Sequence, residues 1–186
     1  GQIHSPAFSM KFLAHRAPQS LTDELRAFIE GYESWVSCIS DEASLLHESE
    51  LRETAERHIS NMRTAIDRMR SGVDLLDSHP LVLRAFRLAN EAMLNTRARD
   101  EKIRTGTASD EQVWYPFQLA FFLLCLKGTA DPGHADRKVL DLLWFPTGGG
   151  KTEAYLAVIA FTIMLRRLRF GEQGAGTAVL MRYSMR

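Results

Sequence analysis

The sequence predicts an α/β protein: a helical N-terminal module over residues 1–110, then a strand, a glycine loop, a helix and a second strand over 111–186. Three observations predict it. From about residue 20 to residue 95 apolar side chains recur at helical spacing, with no strand signal. Residues 139–145 and 177–181 are short apolar runs bounded by turn-forming residues, as expected of buried strands. Between them lie Gly148, Gly149 and Gly150 and then a long apolar pattern from Lys151. A strand, a helix and a second strand in that order read as a parallel βαβ unit.

Composition narrows the class. With 186 residues the length suits one large domain or two small ones, and an apolar fraction of 45% is ordinary for a protein with a real core. Net charge is zero, so only a local basic patch could recruit a nucleic acid. Cys38 and Cys125 lie far apart, outside any CxxC or Cys/His spacing. They read as reduced, buried residues of a cytoplasmic protein. The longest unbroken apolar run, Leu119 to Leu126, is too short to span a bilayer. The chain opens on Gly1 and stops at Arg186 just after the second expected strand, which suggests a piece of a longer protein.

The elements follow in order. Residues 1–18 show little periodicity, although Met10, Phe12 and Leu13 are available for packing. Ser20 reads as a helix N-cap with Asp23 three residues on, and Leu25, Phe28, Ile29, Tyr32, Val36 and Ile39 form the stripe. A second helix carries Leu51, Ala55, Ile59, Met62, Ala65, Ile66 and Met69, and Gly72 stands where a helix stops. Its outer face, with Glu48, Arg52, Glu53, Glu56 and Arg57, reads as a solvated face with i,i+4 pairs. Ser78 and Pro80 start a third helix, with Leu81, Val82, Ala85, Phe86, Ala89, Ala92 and Met93 inward and Asn90 and Asn95 off the stripe. Residues 96–112 are charged and contain Gly and Thr, as a linker would. Pro116 opens a buried helix, and 128–138 is a turn-rich loop. Asp141 sits inside the first expected strand, so it should face a partner or solvent. The pattern from Lys151 to about Arg169 is apolar almost all round, with Arg166, Arg167 and Arg169 at the end that suits a cation.

Phe145-Pro146-Thr147-Gly148-Gly149-Gly150-Lys151-Thr152-Glu153 carries the chemistry. Glycines let the backbone approach an anion because no Cβ intervenes. Their N–H groups and the unpaired N–H groups of the next helix then point at it. A lysine here reaches terminal phosphates and a threonine hydroxyl holds Mg²⁺. The full phosphate-loop pattern is G-x-x-x-x-G-K-[ST], and Phe145 stands where its first glycine belongs. ATP with Mg²⁺ is the expected ligand.

This stretch resembles motif I of the superfamily 2 helicases, which often lack the first glycine and carry Pro-Thr-Gly before Gly-Lys-Thr. The string Asp141 to Leu156, with Leu180-Met181-Arg182-Tyr183-Ser184-Met185-Arg186, is similar to the DrmA-type helicases of the DISARM anti-phage system. Residues 85–93 and 116–121 share that likeness, which covers mainly 81–186. The resemblance implies a RecA-like domain and an ATP-dependent helicase or translocase acting on DNA, either a single strand or a duplex end. A partner subunit of a defence complex is implied too. It places Lys151 and Thr152 in catalysis, and Thr147, Gly148, Gly149, Gly150 and Glu153 around the nucleotide. Gln118 lies upstream at the distance of a Q motif, whose glutamine reads the adenine edge; a polar residue at a helix start is the plainer reading. Trp114 and Phe117 could stack on a base, though core packing suits them better. Arg182, Ser184 and Arg186 stand at the place of motif Ia, where they would contact phosphate oxygens of a strand, against the plainer reading of a solvated loop. The acidic motif and the second lobe of such enzymes lie later in the chain, so these 186 residues alone should turn over negligible ATP.

His15, His47, His58, His79 and His134 show no ligand spacing. Two other readings stand beside the helicase: a helical docking scaffold, and a phosphate-loop kinase or AAA-type ATPase. Gln118 and the Arg182 loop argue against the kinase and the AAA-type ATPase, and the scaffold stays as the alternative.

Overall fold

In the computed structural model, which describes residues 5–146 and 148–182, six α-helices carry the chain. They are α1 (Met10–His15), α2 (Pro18–Ser44), α3 (Ser49–Ser78), α4 (Pro80–Thr105), α5 (Pro116–Ala130) and α6 (Lys151–Phe170). Short 3₁₀ turns lie at Pro6–Phe8, Ala135–Lys138 and Gly171–Gly174.

No strand occurs among the described residues, and the β-bridge present pairs Ser9 with Val113. The described fold is therefore all-α, which corrects the α/β expectation and with it the RecA-like opening strands. The reason is lateral. An apolar run becomes a strand only when a neighbour takes its N–H and C=O groups. Residues 139–145 and 177–181 are extended or irregular and run beside α5 and α6 without backbone bonds to each other.

The helices are longer than the sequence suggested. α2 starts at Pro18, whose fixed φ suits the first turn, and Ser20 lies inside it. α3 and α4 are separated by His79 alone, at φ −131 and ψ 97. Pro80 forces that extended conformation on its predecessor and turns the chain. α4 absorbs much of the expected 96–112 linker and stops at Gly106, with Lys102 and Arg104 in its last turn.

Gly72 does not end α3. A Cβ there would stand 2.4 Å from the Leu123 carbonyl oxygen, so the missing side chain is what lets α3 and α5 cross closely.

One core joins elements on either side of residue 110. Phe86 of α4 stacks on Phe122 of α5 at 5.0 Å, and Phe122 meets Phe161 of α6 edge-on at 6.0 Å. Trp114 packs against Phe122 and donates from Nε1 to Asn90 Oδ1 at 2.8 Å. Asn90 is thus buried rather than off the stripe, and its amide donates in turn to the Phe86 carbonyl at 2.9 Å. Both of its polar ends are matched, which makes its burial tolerable. Met10 and Leu13 of α1 are fully buried in the same core, with Phe12 packed against it. Cys38 is exposed and Cys125 half-buried, which corrects the expectation that both sit in the core. No helix among the described residues is long and apolar enough to cross a membrane.

Candidate functional site

The glycine loop ends where α6 begins. Gly148 and Gly150 have φ of +82° and +86°, and Gly149 N–H closes a turn onto the Pro146 carbonyl at 3.1 Å. Gly150 is the N-cap of α6 and offers no side chain to the helix. The first amides of α6 therefore lack a side-chain cap, with the positive end of a 20-residue helix behind them. Two constraints fix glycine at 150. Its backbone is left-handed, and a Cβ would lie 2.6 Å from Gln118 Nε2.

Gln118 sits in the first turn of α5 and is 1% exposed. Its Oε1 accepts from Tyr115 N–H at 2.9 Å and its Nε2 donates to the Gly150 carbonyl at 2.8 Å. It joins the start of α5 to the end of the loop. Beside it three aromatic rings are stacked in series: Tyr115 on Phe117 at 6.2 Å, and Phe117 on Phe145 at 3.9 Å. Phe145, at the position of the missing first glycine, thus packs the loop against α5. Trp114 is core.

Lys151 Nζ donates to the carbonyls of Phe145 and Pro146 at 2.5 and 2.9 Å, so it arches over the loop it follows. Thr152 is exposed and Glu153 half-buried in the first turn of α6, with Glu153 Oε2 on the Gly150 side of it. Thr147 lies outside the described residues. The structure brings together Gln118, Gly148, Gly149, Gly150, Lys151, Thr152 and Glu153.

Arg182 stands apart from this group. It is exposed and lines an apolar groove of about 320 Å³ with Phe121, Tyr155, Val179, Leu180 and Met181. Ser184 and Arg186 lie outside the described residues. The arginines that end α6 serve the fold: Arg166 donates to the Thr177 carbonyl at 2.9 Å and Arg169 to the Ala130 carbonyl at 2.6 Å.

One cluster escaped the sequence reading. Arg68 of α3 grips Asp141 with two nitrogens, Nη1 to Oδ1 at 2.6 Å and Nη2 to Oδ2 at 2.8 Å, while its Nε donates to Asp136 at 2.9 Å. Its side chain is 14% exposed. The hydrogen bond to Asp141 raises the guanidinium pKa further above its ordinary value. Cys125 lies 3.9 Å from Asp141, and burial first, then that carboxylate, pushes its thiol up to about 12. An isolated aspartate in an apolar run was the available signal; its partner, 73 residues earlier, was not readable. No group of His, Cys, Asp and Glu able to hold a metal occurs among the described residues.

A curated relative matches the chain throughout. It is the DISARM protein DrmA of Bacillus paralicheniformis, 35% identical over a 202-residue alignment that takes in 100% of this chain and 18% of that protein. The chain is DrmA-like along its whole length. Because the alignment takes in the whole chain, the likeness to DrmA reaches the helices of residues 5–80 as well as the glycine loop, and the chain spans about a fifth of the relative's length. No protein-family model matches the chain.

Proposed function

We propose that this chain carries the nucleotide-gripping part of an ATP-dependent helicase or translocase that acts on DNA in phage defence. The observation that carries the reading is the Gly148–Thr152 turn, where left-handed glycines deliver the chain into an uncapped helix start beside a lysine. That donor set fits a polyphosphate: the uncapped first amides of α6, the positive end of its dipole and one lysine beside them. The likeness to a DISARM protein DrmA supports the defence setting, and the motif I resemblance supports the helicase class.

In this reading the Gly148–Gly150 amides and Lys151 hold the phosphates, with Thr147 and Glu153 alongside, and the Gly149 N–H gives up the Pro146 carbonyl to do so. The Thr152 hydroxyl takes Mg²⁺, which when bound neutralises phosphate charge. For ATP, Lys151 exchanges its two carbonyl partners for phosphate oxygens, a stronger charge-assisted contact. Gln118 is assigned the adenine edge. Its amide bonds to Tyr115 and Gly150 leave one lone pair and one N–H, and the first turn of α5 must ease away for a base to reach them. Arg182, Ser184 and Arg186 are assigned to strand phosphates, and a defence-complex subunit is the proposed protein partner.

Fluorescent ATP with Mg²⁺, titrated onto the chain, tests the core of this. Saturable binding that Lys151→Ala weakens more than tenfold supports it. Equal signals from both proteins would overturn it.

A further inference from the structure

Both ends of the glycine loop are fastened to one packed pair of helices. Downstream, Gln118 of α5 holds the Gly150 carbonyl. Upstream, Arg68 of α3 holds Asp141, four residues before Phe145. The two anchors belong to one body, because α3 meets α5 at Gly72 and Leu123, a single helical turn from Arg68. Between the anchors Phe145 stacks on Phe117 and Lys151 holds the Phe145 and Pro146 carbonyls, but Leu142 and Trp144 are exposed, and the described residues from 139 to 146 form no regular element.

We propose that Arg68 is a positioning residue for the phosphate loop, acting through Asp141 from the helical N-terminal module. This rests on the nucleotide reading given above for the loop itself. A two-pronged guanidinium–carboxylate pair fixes direction as well as distance, which a lysine cannot do. Asp136 on the third nitrogen removes the freedom of the guanidinium to swing toward solvent. With three of its donors committed, Arg68 sets where the chain leaves the helical body on its way to Gly150. Loosening the upstream anchor lowers the fraction of molecules with the loop formed, and apparent affinity falls by that fraction. The helical module is then part of the nucleotide site although no residue of it need touch the nucleotide.

The test compares wild type with Arg68→Lys, Arg68→Ala, Asp141→Asn and the exchanged pair Arg68→Asp with Asp141→Arg. Amide hydrogen exchange reads the anchoring directly. The expected result is faster exchange at the loop and first turn of α6 in the single variants, with α2 and α4 unchanged, and partial recovery in the exchanged pair. Fluorescent ATP should bind about tenfold more weakly to the single variants. Arg68→Lys keeps the charge, so its loss of loop protection separates direction from charge. Exchange that stays at wild-type rates at the loop, or that rises evenly over all helices, overturns the proposal. Should Arg68→Ala not fold, Asp141→Asn and Arg68→Lys carry the same comparison. Failure of wild type to bind ATP would sink the nucleotide reading while leaving the exchange result to decide the anchor.

Discussion

Helix α5 and the segment at 139–145 are similarly apolar and meet opposite fates. In α5, Leu119, Phe122, Leu123 and Leu126 are fully buried. In the segment, Leu140, Leu142 and Trp144 stand 93%, 80% and 87% exposed. The difference lies in the backbone. A helix pairs its own N–H and C=O groups, so it needs only a matching surface for its side chains. An extended chain leaves those groups facing outward until another strand takes them. Apolar side chains bury where the backbone is already satisfied.

Substitutions can break or sharpen this contrast. Phe122 joins Phe86, Trp114 and Phe161, so Phe122→Ala should lower the unfolding free energy by about 3–5 kcal/mol in a urea titration. A small loss there would mean that the α4–α5–α6 core is looser than its burial shows. Gly72→Ala must push α3 off the Leu123 carbonyl and should cost about 2 kcal/mol in the same titration. Gly150→Ala should cost about 1–2 kcal/mol, from its left-handed backbone and the displaced Gln118 amide. An unchanged midpoint for that variant would separate the loop energetically from α5. At the other extreme, Leu140→Ser with Trp144→Ser should stay within about 0.5 kcal/mol of wild type. A large loss there would show the segment covered in solution and would erase the contrast.

Thiol chemistry reads the same divide at single atoms. Alkylation at pH 8, followed by mass spectrometry, should modify exposed Cys38 and spare Cys125, whose thiol is raised from an ordinary value of 9.0 to about 12. Because the folded value is the higher one, the contribution of Cys125 to stability is complete below pH 9 and declines as pH climbs toward 12. Rapid labelling of both thiols at pH 8 would show that the Arg68–Asp141 cluster opens readily.

Much of the site was readable in the sequence because its parts are contiguous. Gly148 to Thr152 declare a tight turn into a helix by residue type alone, and Pro116 marks the start of the helix that carries Gln118. What Gln118 holds was not readable, since its partner is a carbonyl that every residue has. Phe145 looked like a defect in the phosphate-loop pattern and proved to be a packing residue, stacked on Phe117. Gly72 looked like a helix end because glycine serves both as a stop and as a gap for a crossing backbone. Asn90 looked exposed because its two partners, Trp114 and the Phe86 carbonyl, become neighbours only after folding.

By itself the sequence determined the helices and the glycine turn. Both depend on interactions within a few residues: apolar spacing, proline at a first turn, glycine where φ is positive. Tertiary structure decided the rest. It left 139–145 and 177–181 without strand partners, pressed α3 onto α5 through the gap at Gly72, and brought Arg68 to Asp141 across 73 positions. Strand pairing, helix crossing and buried ion pairs all need groups from distant parts of the chain. No local pattern encodes which of those groups will meet.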